Sequence, residues 1–215
     1  MMSVHLRPDE IEAESFRLID VEAGEHRWST QEWPIVRRAV HTSADFDYVR
    51  DLVISPTAIA RGIAALRRGR TIFTDTRMAK AGITAARLEP FALEVRCLVD
   101  DPLVAKSAKR LGVTRSLLAM RTAAQQEDIG IFVIGNAPTA LFELLRLIRE
   151  EGVRPDLIVG LPVGFVGAAE SKAELLAVAA EYLLPVISNR GRKGGSNVAA
   201  AVINALLILA AGEAG

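Results

Sequence analysis

Three times in its second half this chain passes from a short apolar run, through a loop of glycine, proline or cations, into a segment of helical periodicity. In the first, residues 131–134 break at Gly135-Asn136-Ala137-Pro138-Thr139, and Leu141, Leu144, Leu145 and Ile148 then recur at helical spacing. Four apolar residues between glycines suit a strand buried on both faces. Pro138 suits the first turn of a helix, where its missing N–H costs nothing. In the second, residues 156–160 lead through loop 161–167 into a helix from about Ala168. In the third, residues 184–188 lead through loop 189–195 into a long apolar helix from Ser196. Strands alternating with helices specify a parallel sheet with right-handed crossovers. The expected fold class is α/β: a three-layer α/β/α single domain with a largely parallel central sheet, without internal repeat or linker.

Loops of this kind lie at the carboxyl ends of strands, where open α/β sheets bind ligands. Each also feeds a helix N-terminus, whose free N–H groups and positive dipole end favour anions. Three such ends side by side suit a ligand with several negative charges.

Half of the 215 residues are apolar, enough for a sizeable core, and 26 cations balance 26 anions. Zero net charge argues against a nucleic-acid surface but leaves room for a local basic pocket. The single cysteine, Cys97, forms no disulfide framework and reads as a small core residue in a strand. His5, His26 and His41 are far apart and lack metal-ligand spacing, so no metal site is expected. The N-terminus turns acidic before any apolar run, unlike a signal peptide. The most apolar stretch, residues 198–211, is too short to span a bilayer. A soluble cytoplasmic protein is expected, with no membrane or nucleic-acid partner.

The first half is punctuated by helix starts and stops. A helix is expected over about residues 8–23, carrying Ser15 beside Phe16. A second follows Gly24. Ser29 and Glu32 have the spacing of a capping box, and Pro34 allows a start nearer Trp33. Val36, Ala39 and Val40 face inward, while Arg37, Arg38 and His41 crowd the last turns, where His41 shares a face with either guanidinium. Imidazole is the side chain that trades a proton near neutral pH, which makes His41 a candidate. Ser55-Pro56 reads as an N-cap and first helical residue. Asp101-Pro102 opens a helix that Gly112 closes. Thr114-Arg115-Ser116 begins another, running to about Asp128. Arg115 there opposes the helix dipole, and a bound anion would offset that.

The dinucleotide pattern G-x-G-x-x-G is missing, since Gly160, Gly164 and Gly167 have other spacing. The phosphate loop G-x-x-x-x-G-K-[ST] is missing as well, because Lys193 precedes the paired glycines. Basic, glycine-rich loops and one histidine remain. They suit general acid chemistry on a multi-anionic small molecule, with the scaffold positioning it.

Residues 134–145 (IGNAPTALFELL), 160–172 (GLPVGFVGAAESK) and 190–196 (RGRKGGS) resemble the signature segments of the precorrin-8X methylmutases, or precorrin isomerases, and their cobalt-precorrin-8 counterparts. The N-terminal half agrees, at Ser15-Phe16, residues 36–41, Ile54-Ser55-Pro56, Asp75 with Met78, Gly82-Ile83-Thr84 and Thr114-Arg115-Ser116. The resemblance implies an isomerase of cobalamin biosynthesis that moves a methyl group from carbon 11 to carbon 12 of a contracted tetrapyrrole, with no cofactor. It implies a carboxylate-rich tetrapyrrole substrate and a homodimer. It makes His41 the catalytic residue, protonating or hydrogen-bonding the macrocycle. Ser15, Arg38, Thr84 and Arg115 match substrate-contacting positions. Asn136 and Gly164 of the glycine-rich loops, with their backbone N–H groups, and Arg190 and Arg192 join them as expected substrate-binding residues. Two other readings remain open: a tetrapyrrole carrier on the same scaffold without chemistry, and an α/β enzyme acting on a phosphorylated substrate.

Overall fold

The computed structural model describes residues 7–212; His5 and the rest of the N-terminal hexapeptide lie outside the described residues, as do the last three. In chain order the elements are α1 (Pro8–Ala23), α2 (Trp33–Ser43), α3 (Asp47–Asp51), β1 (Leu52–Ile54), α4 (Ala58–Arg67), β2 (Thr71–Thr74), α5 (Arg77–Gly82), α6 (Ala85–Leu88) and, after a 3-10 turn, β3 (Val95–Arg96). There follow α7 (Pro102–Leu111), α8 (Arg115–Ala124), β4 (Ile129–Ile134), α9 (Pro138–Glu150), β5 (Leu157–Gly160), α10 (Ala168–Tyr182), β6 (Val186–Asn189) and α11 (Ser196–Ala211).

The six strands form one sheet in the order β1-β6-β5-β4-β2-β3. All pairs are parallel except β1 with β6. The chain leaves β2 for β3 on one side and returns to β4 on the other, so the switch in winding falls between β2 and β4. A crevice outside the carboxyl ends of the strands at such a point is where doubly wound sheets take ligands.

Alternation along the strands divides the core. Ile131, Val133, Leu157, Val159 and Ile187 point to the layer of α2, α4 and α11. Phe73, Phe132, Ile134, Ile158 and Val186 point to the layer of α8, α9 and α10. Every residue of β4 is buried, which explains why its sequence runs apolar without alternation. The three strand–loop–helix units expected from the sequence are all present. No described helix is long and apolar enough to cross a membrane.

Three local expectations change. Ser55 does not cap a helix. Its N–H donates to the Val186 carbonyl at 2.9 Å and its hydroxyl accepts from the Val186 N–H at 2.9 Å, so it extends the β1–β6 ladder and α4 starts at Ala58. The helix after Thr114 ends at Ala124, short of Asp128. The strand around Cys97 is only Val95–Arg96, and Cys97 is half-buried in a groove with Leu98 and Lys80, not a core residue.

Candidate active site

The first group of candidate residues gathers where α1 lies on α2. The Ser29–Glu32 pair makes its box, with the Ser29 N–H donating to Glu32 Oε2 at 3.0 Å, but it shapes the turn before α2, which begins at Trp33. Arg37 pairs with Asp20 at 3.0 Å and Arg38 with Glu12 at 2.9 Å, tying the two helices. Phe16 of α1 enters among the charges. The Arg37 and Arg38 guanidinium carbons lie 4.4 and 5.1 Å from its ring centre, and the His41 ring meets it edge-on at 5.1 Å. Phe16 therefore fixes the imidazole by packing and leaves it exposed. Ser15, beside Phe16, donates its hydroxyl to the Ile11 carbonyl at 2.7 Å.

The end of α2 that carries His41 meets the loop after β6. Lys193 is held between the carboxylates of Asp45 and Asp47, and these bonds raise its ammonium well above the usual lysine range. The Tyr48 hydroxyl donates to the Gly194 carbonyl at 3.4 Å. Asn197, in the first turn of α11, reaches the Thr42 carbonyl at 3.4 Å. Lys193 is thus spent inside the protein, while Arg190 and Arg192 are exposed.

Loops 161–167 and 190–195 form one body. The Gly195 N–H donates to the Leu161 carbonyl at 2.9 Å, and the Gly164 N–H to the Arg192 carbonyl at 3.2 Å. At Gly194, with φ +158°, a Cβ would lie 2.2 Å from the Leu161 carbonyl oxygen, so only glycine permits this approach. Beyond the contact Phe165 projects into solvent, 83% exposed, with the Arg192 guanidinium 5.6 Å from its ring centre.

The β4 loop corrects an expectation. Its amides are not open to a ligand, because Asp75, at the carboxyl end of β2, already occupies them. The Asp75 carboxylate accepts from the N–H groups of Gly135 at 2.9 Å, Asn136 at 2.9 Å and Ala137 at 2.7 Å. Burial pushes this carboxyl up, and the three N–H donors oppose that push. The amides of Gly164 and Gly195 are likewise bonded within the protein. Asn136 keeps an exposed side chain in the β4 loop.

Arg115 stands exposed at the start of α8, beside the β4 loop, because the hydroxyls of Thr114 and Thr139 are 2.9 Å apart. Thr84 is placed by α11. Asn204 accepts from the Thr84 N–H at 2.9 Å and donates to the Gly82 carbonyl at 2.9 Å. Asn204 follows Asn197 by seven residues, roughly 10 Å along the helix. Thr84 and the His41 end of α2 are therefore held by two asparagines on α11, Asn197 exposed and Asn204 half-buried.

His41 and Arg38 come together around Phe16, with Ser15 its neighbour along α1, and Gly164, Arg190 and Arg192 come together in the joined loops. Asn136, Arg115 and Thr84 lie on separate elements. Concave grooves such as the one of about 780 Å³ between Arg77 and Asp101 do not include His41, whose surroundings are open. The sequence reading missed Asp75 as a loop former, and Lys172, Asn189 and Asn204 altogether. At Asn204 a polar residue inside an otherwise apolar helix was the available signal, whereas Lys172 sits among Glu170, Ser171 and Glu174 and had none.

Fold and site define a class: a doubly wound α/β protein with cationic side chains along the carboxyl edge of its sheet and a packed, exposed histidine beside them. The sequence model of the precorrin-8X methylmutases matches residues 10–209, and the chain belongs to that family. It is 46% identical over 205 residues to the cobalt-precorrin-8 methylmutase of Priestia megaterium, covering 95% of this chain and 89% of that protein. It is 46% identical over 169 residues to the precorrin-8X methylmutase of Pseudomonas aeruginosa, covering 79% and 80%. The solved precorrin-8X methyl mutase of Thermus thermophilus superposes with a TM-score of 0.85 at 40% identity, over 94% of this chain and 98% of that one.

Proposed function

We propose that the chain is an isomerase of cobalamin biosynthesis, moving a methyl group from carbon 11 to carbon 12 of precorrin-8X or cobalt-precorrin-8 to give hydrogenobyrinate or cobyrinate. The methyl stays within the molecule, so the protein must bind the macrocycle, bias its protonation and shield it from water. His41 is the proposed proton or hydrogen-bond donor. The observation that carries this role is the His41 ring locked edge-on against Phe16, at the helix end that meets the arginine-bearing loop. Arg38, Arg115, Arg190 and Arg192 are proposed to take rim carboxylates, for which the planar guanidinium fork is suited. Ser15, Thr84 and Asn136 complete the proposed contacts, and Gly164, expected among them, instead gives its N–H to the Arg192 carbonyl and holds the loop that carries Arg192.

The working unit is a homodimer in this reading, supported by Phe165 and Val166, 83% and 90% exposed next to the site, which a second subunit would cover. The compartment is the cytoplasm, which suits a chain with a single cysteine.

The test is turnover of precorrin-8X by His41→Ala and His41→Asn, with binding of hydrogenobyrinic acid followed by absorbance. The alanine variant binds and fails to turn over. Asn donates a hydrogen bond but no proton, so its residual rate separates the two roles. Wild-type turnover by His41→Ala would refute the assignment.

A further inference from the structure

Lys172, in the second turn of α10, is completely buried. Its ammonium donates to Asn189 Oδ1 at 3.1 Å and to the Lys193 carbonyl. Asn189 in turn donates its amide to the carbonyls of Arg190 at 3.0 Å and Lys193 at 2.9 Å. Two buried side chains thus gather the backbone of loop 190–195 from beneath.

No carboxylate is hydrogen-bonded to this ammonium among the described residues. The ionic groups on the elements around it are committed elsewhere. On α9, Glu143 is bound by Arg121 and Arg146. On α10 itself, Glu174 pairs with Arg149 and Glu170 is exposed. In the loop, Lys193 is held by Asp45 and Asp47, while Arg190 and Arg192 face solvent. A cation near a helix N-terminus opposes the dipole, and a buried charge without a counter-charge is unfavourable. Burial alone lowers this lysine from 10.5 to about 8. The fold tolerates a locally unfavourable charge directly under the loop that presents Arg190 and Arg192, a trade expected where function and stability compete.

We infer that Lys172 is a positioning residue for ligand binding, its buried ammonium pinning loop 190–195 through Asn189 and the Lys193 carbonyl so that Arg190 and Arg192 are set for the carboxylates of the tetrapyrrole. The inference rests on the methylmutase reading. A charged donor holds a carbonyl more strongly than a neutral amine does. The loop is therefore firmest below the pH at which Lys172 loses its proton and slackens above it.

The experiment is an absorbance titration of the full chain with hydrogenobyrinic acid from about pH 6.5 to about pH 9.5, with turnover measured in parallel. Wild-type Kd rises roughly tenfold across about pH 8, the size of one lost charge-assisted hydrogen bond. Lys172→Met binds at about pH 7 as weakly as the wild type does at alkaline pH, and its Kd is flat with pH. Its kcat at saturation stays within about threefold of wild type, because the reacting groups are untouched. Should Lys172→Met fail to fold, Asn189→Asp decides: a carboxylate beside the ammonium moves the alkaline rise in Kd to higher pH. A wild-type Kd independent of pH, or a folded Lys172→Met with wild-type affinity, overturns the inference alone. No binding by the wild type at any pH overturns the methylmutase reading, and the inference with it.

Discussion

Gly135→Ala tests the packing of the site with one methyl group. Gly135 has no left-handed backbone, so alanine adds no local strain there, and the effect is steric. The new Cβ would lie 2.6 Å from Ser196 Cα, 2.9 Å from Ser196 N and 3.1 Å from the Gly195 carbonyl oxygen. All three are backbone atoms, so no side chain can swing aside. The β4 loop and the start of α11 must part by about 1 Å to reach ordinary contact. Three anchors resist: the Gly135 N–H on Asp75 at 2.9 Å, the Thr76–Ser196 hydroxyl contact at 2.7 Å and the Gly195 N–H on Leu161 at 2.9 Å. Overpacking costs about 1–3 kcal/mol, and a clash of backbone on backbone belongs at the upper end. At 2–4 °C per kcal/mol for a chain of this size, the melting temperature falls by roughly 4–12 °C. Gly152→Ala is the control. Its φ is +73° with nothing within 4 Å of the added Cβ, so it carries backbone strain alone, about 1 kcal/mol. Calorimetry of both variants decides. If Gly135→Ala melts within about 2 °C of wild type, the loops are not in the contact that joins α11 to the switch point.

Lys172→Met also has a stability signature. The folded value of about 8 lies below the unfolded 10.5, so the unfolded chain holds the proton more tightly, and wild-type stability rises with pH between the two. The burden at neutral pH is roughly 3 kcal/mol at ~1.4 kcal/mol per pH unit. Less the two lost hydrogen bonds, Lys172→Met gains about 1–2 kcal/mol in urea unfolding near pH 7, and the gain fades near pH 10.5; a loss at neutral pH contradicts the sign. Glu143 behaves oppositely. Burial would raise it, but hydrogen bonds from Arg146 and Arg121 bring it below 4.5. Its contribution is complete above 4.5 and is lost as pH falls through the lower folded value. Glu143→Gln therefore costs about 2 kcal/mol near pH 7, and the deficit shrinks in acid; an equal deficit at both would count against the ion pairs.

The parts legible in the sequence are those governed by local chemistry. Pro138, Pro102 and Pro8 mark helix starts, and Gly69, Gly112 and Gly212 follow helix ends. Unbroken apolar runs mark the central strands. What stayed hidden depends on partners distant along the chain. Ser55 looks like a cap until β6 offers it a strand to pair with, 131 residues away. The β4 loop looks like an open anion site until Asp75 arrives from 60–62 residues upstream. Arg38 and His41 could be placed on one helix face, but the Phe16 ring between α1 and α2 that orders them was not visible in spacing.

Where buried polarity falls is itself an argument for the site. Among the described residues the buried polar ones are Thr71, Thr74, Asp75, Glu143, Ser171, Lys172, Ser188, Asn189 and Ser196. Thr74, Asp75, Ser188 and Asn189 stand at the carboxyl ends of β2 and β6, and Ser171, Lys172 and Ser196 in the first two turns of the helices that follow β5 and β6. At the opposite edge, by contrast, Asp156 meets Arg68 and Arg70, and Asp128 meets Arg96, in partly exposed ion pairs that add little stability. A fold that needed charge only for solubility would have no reason to bury it along one edge. Buried ions under loops do something surface pairs cannot, because they give the loop backbone a single arrangement. Asp75 orders the β4 loop from the negative side and Lys172 the β6 loop from the positive side. Amides used in this way are withdrawn from the ligand. In the proposed function recognition then falls to exposed side chains on a rigid frame, above all Arg115, Arg190 and Arg192, which are long enough to adjust to a rim of carboxylates, while the His41 ring rests against Phe16.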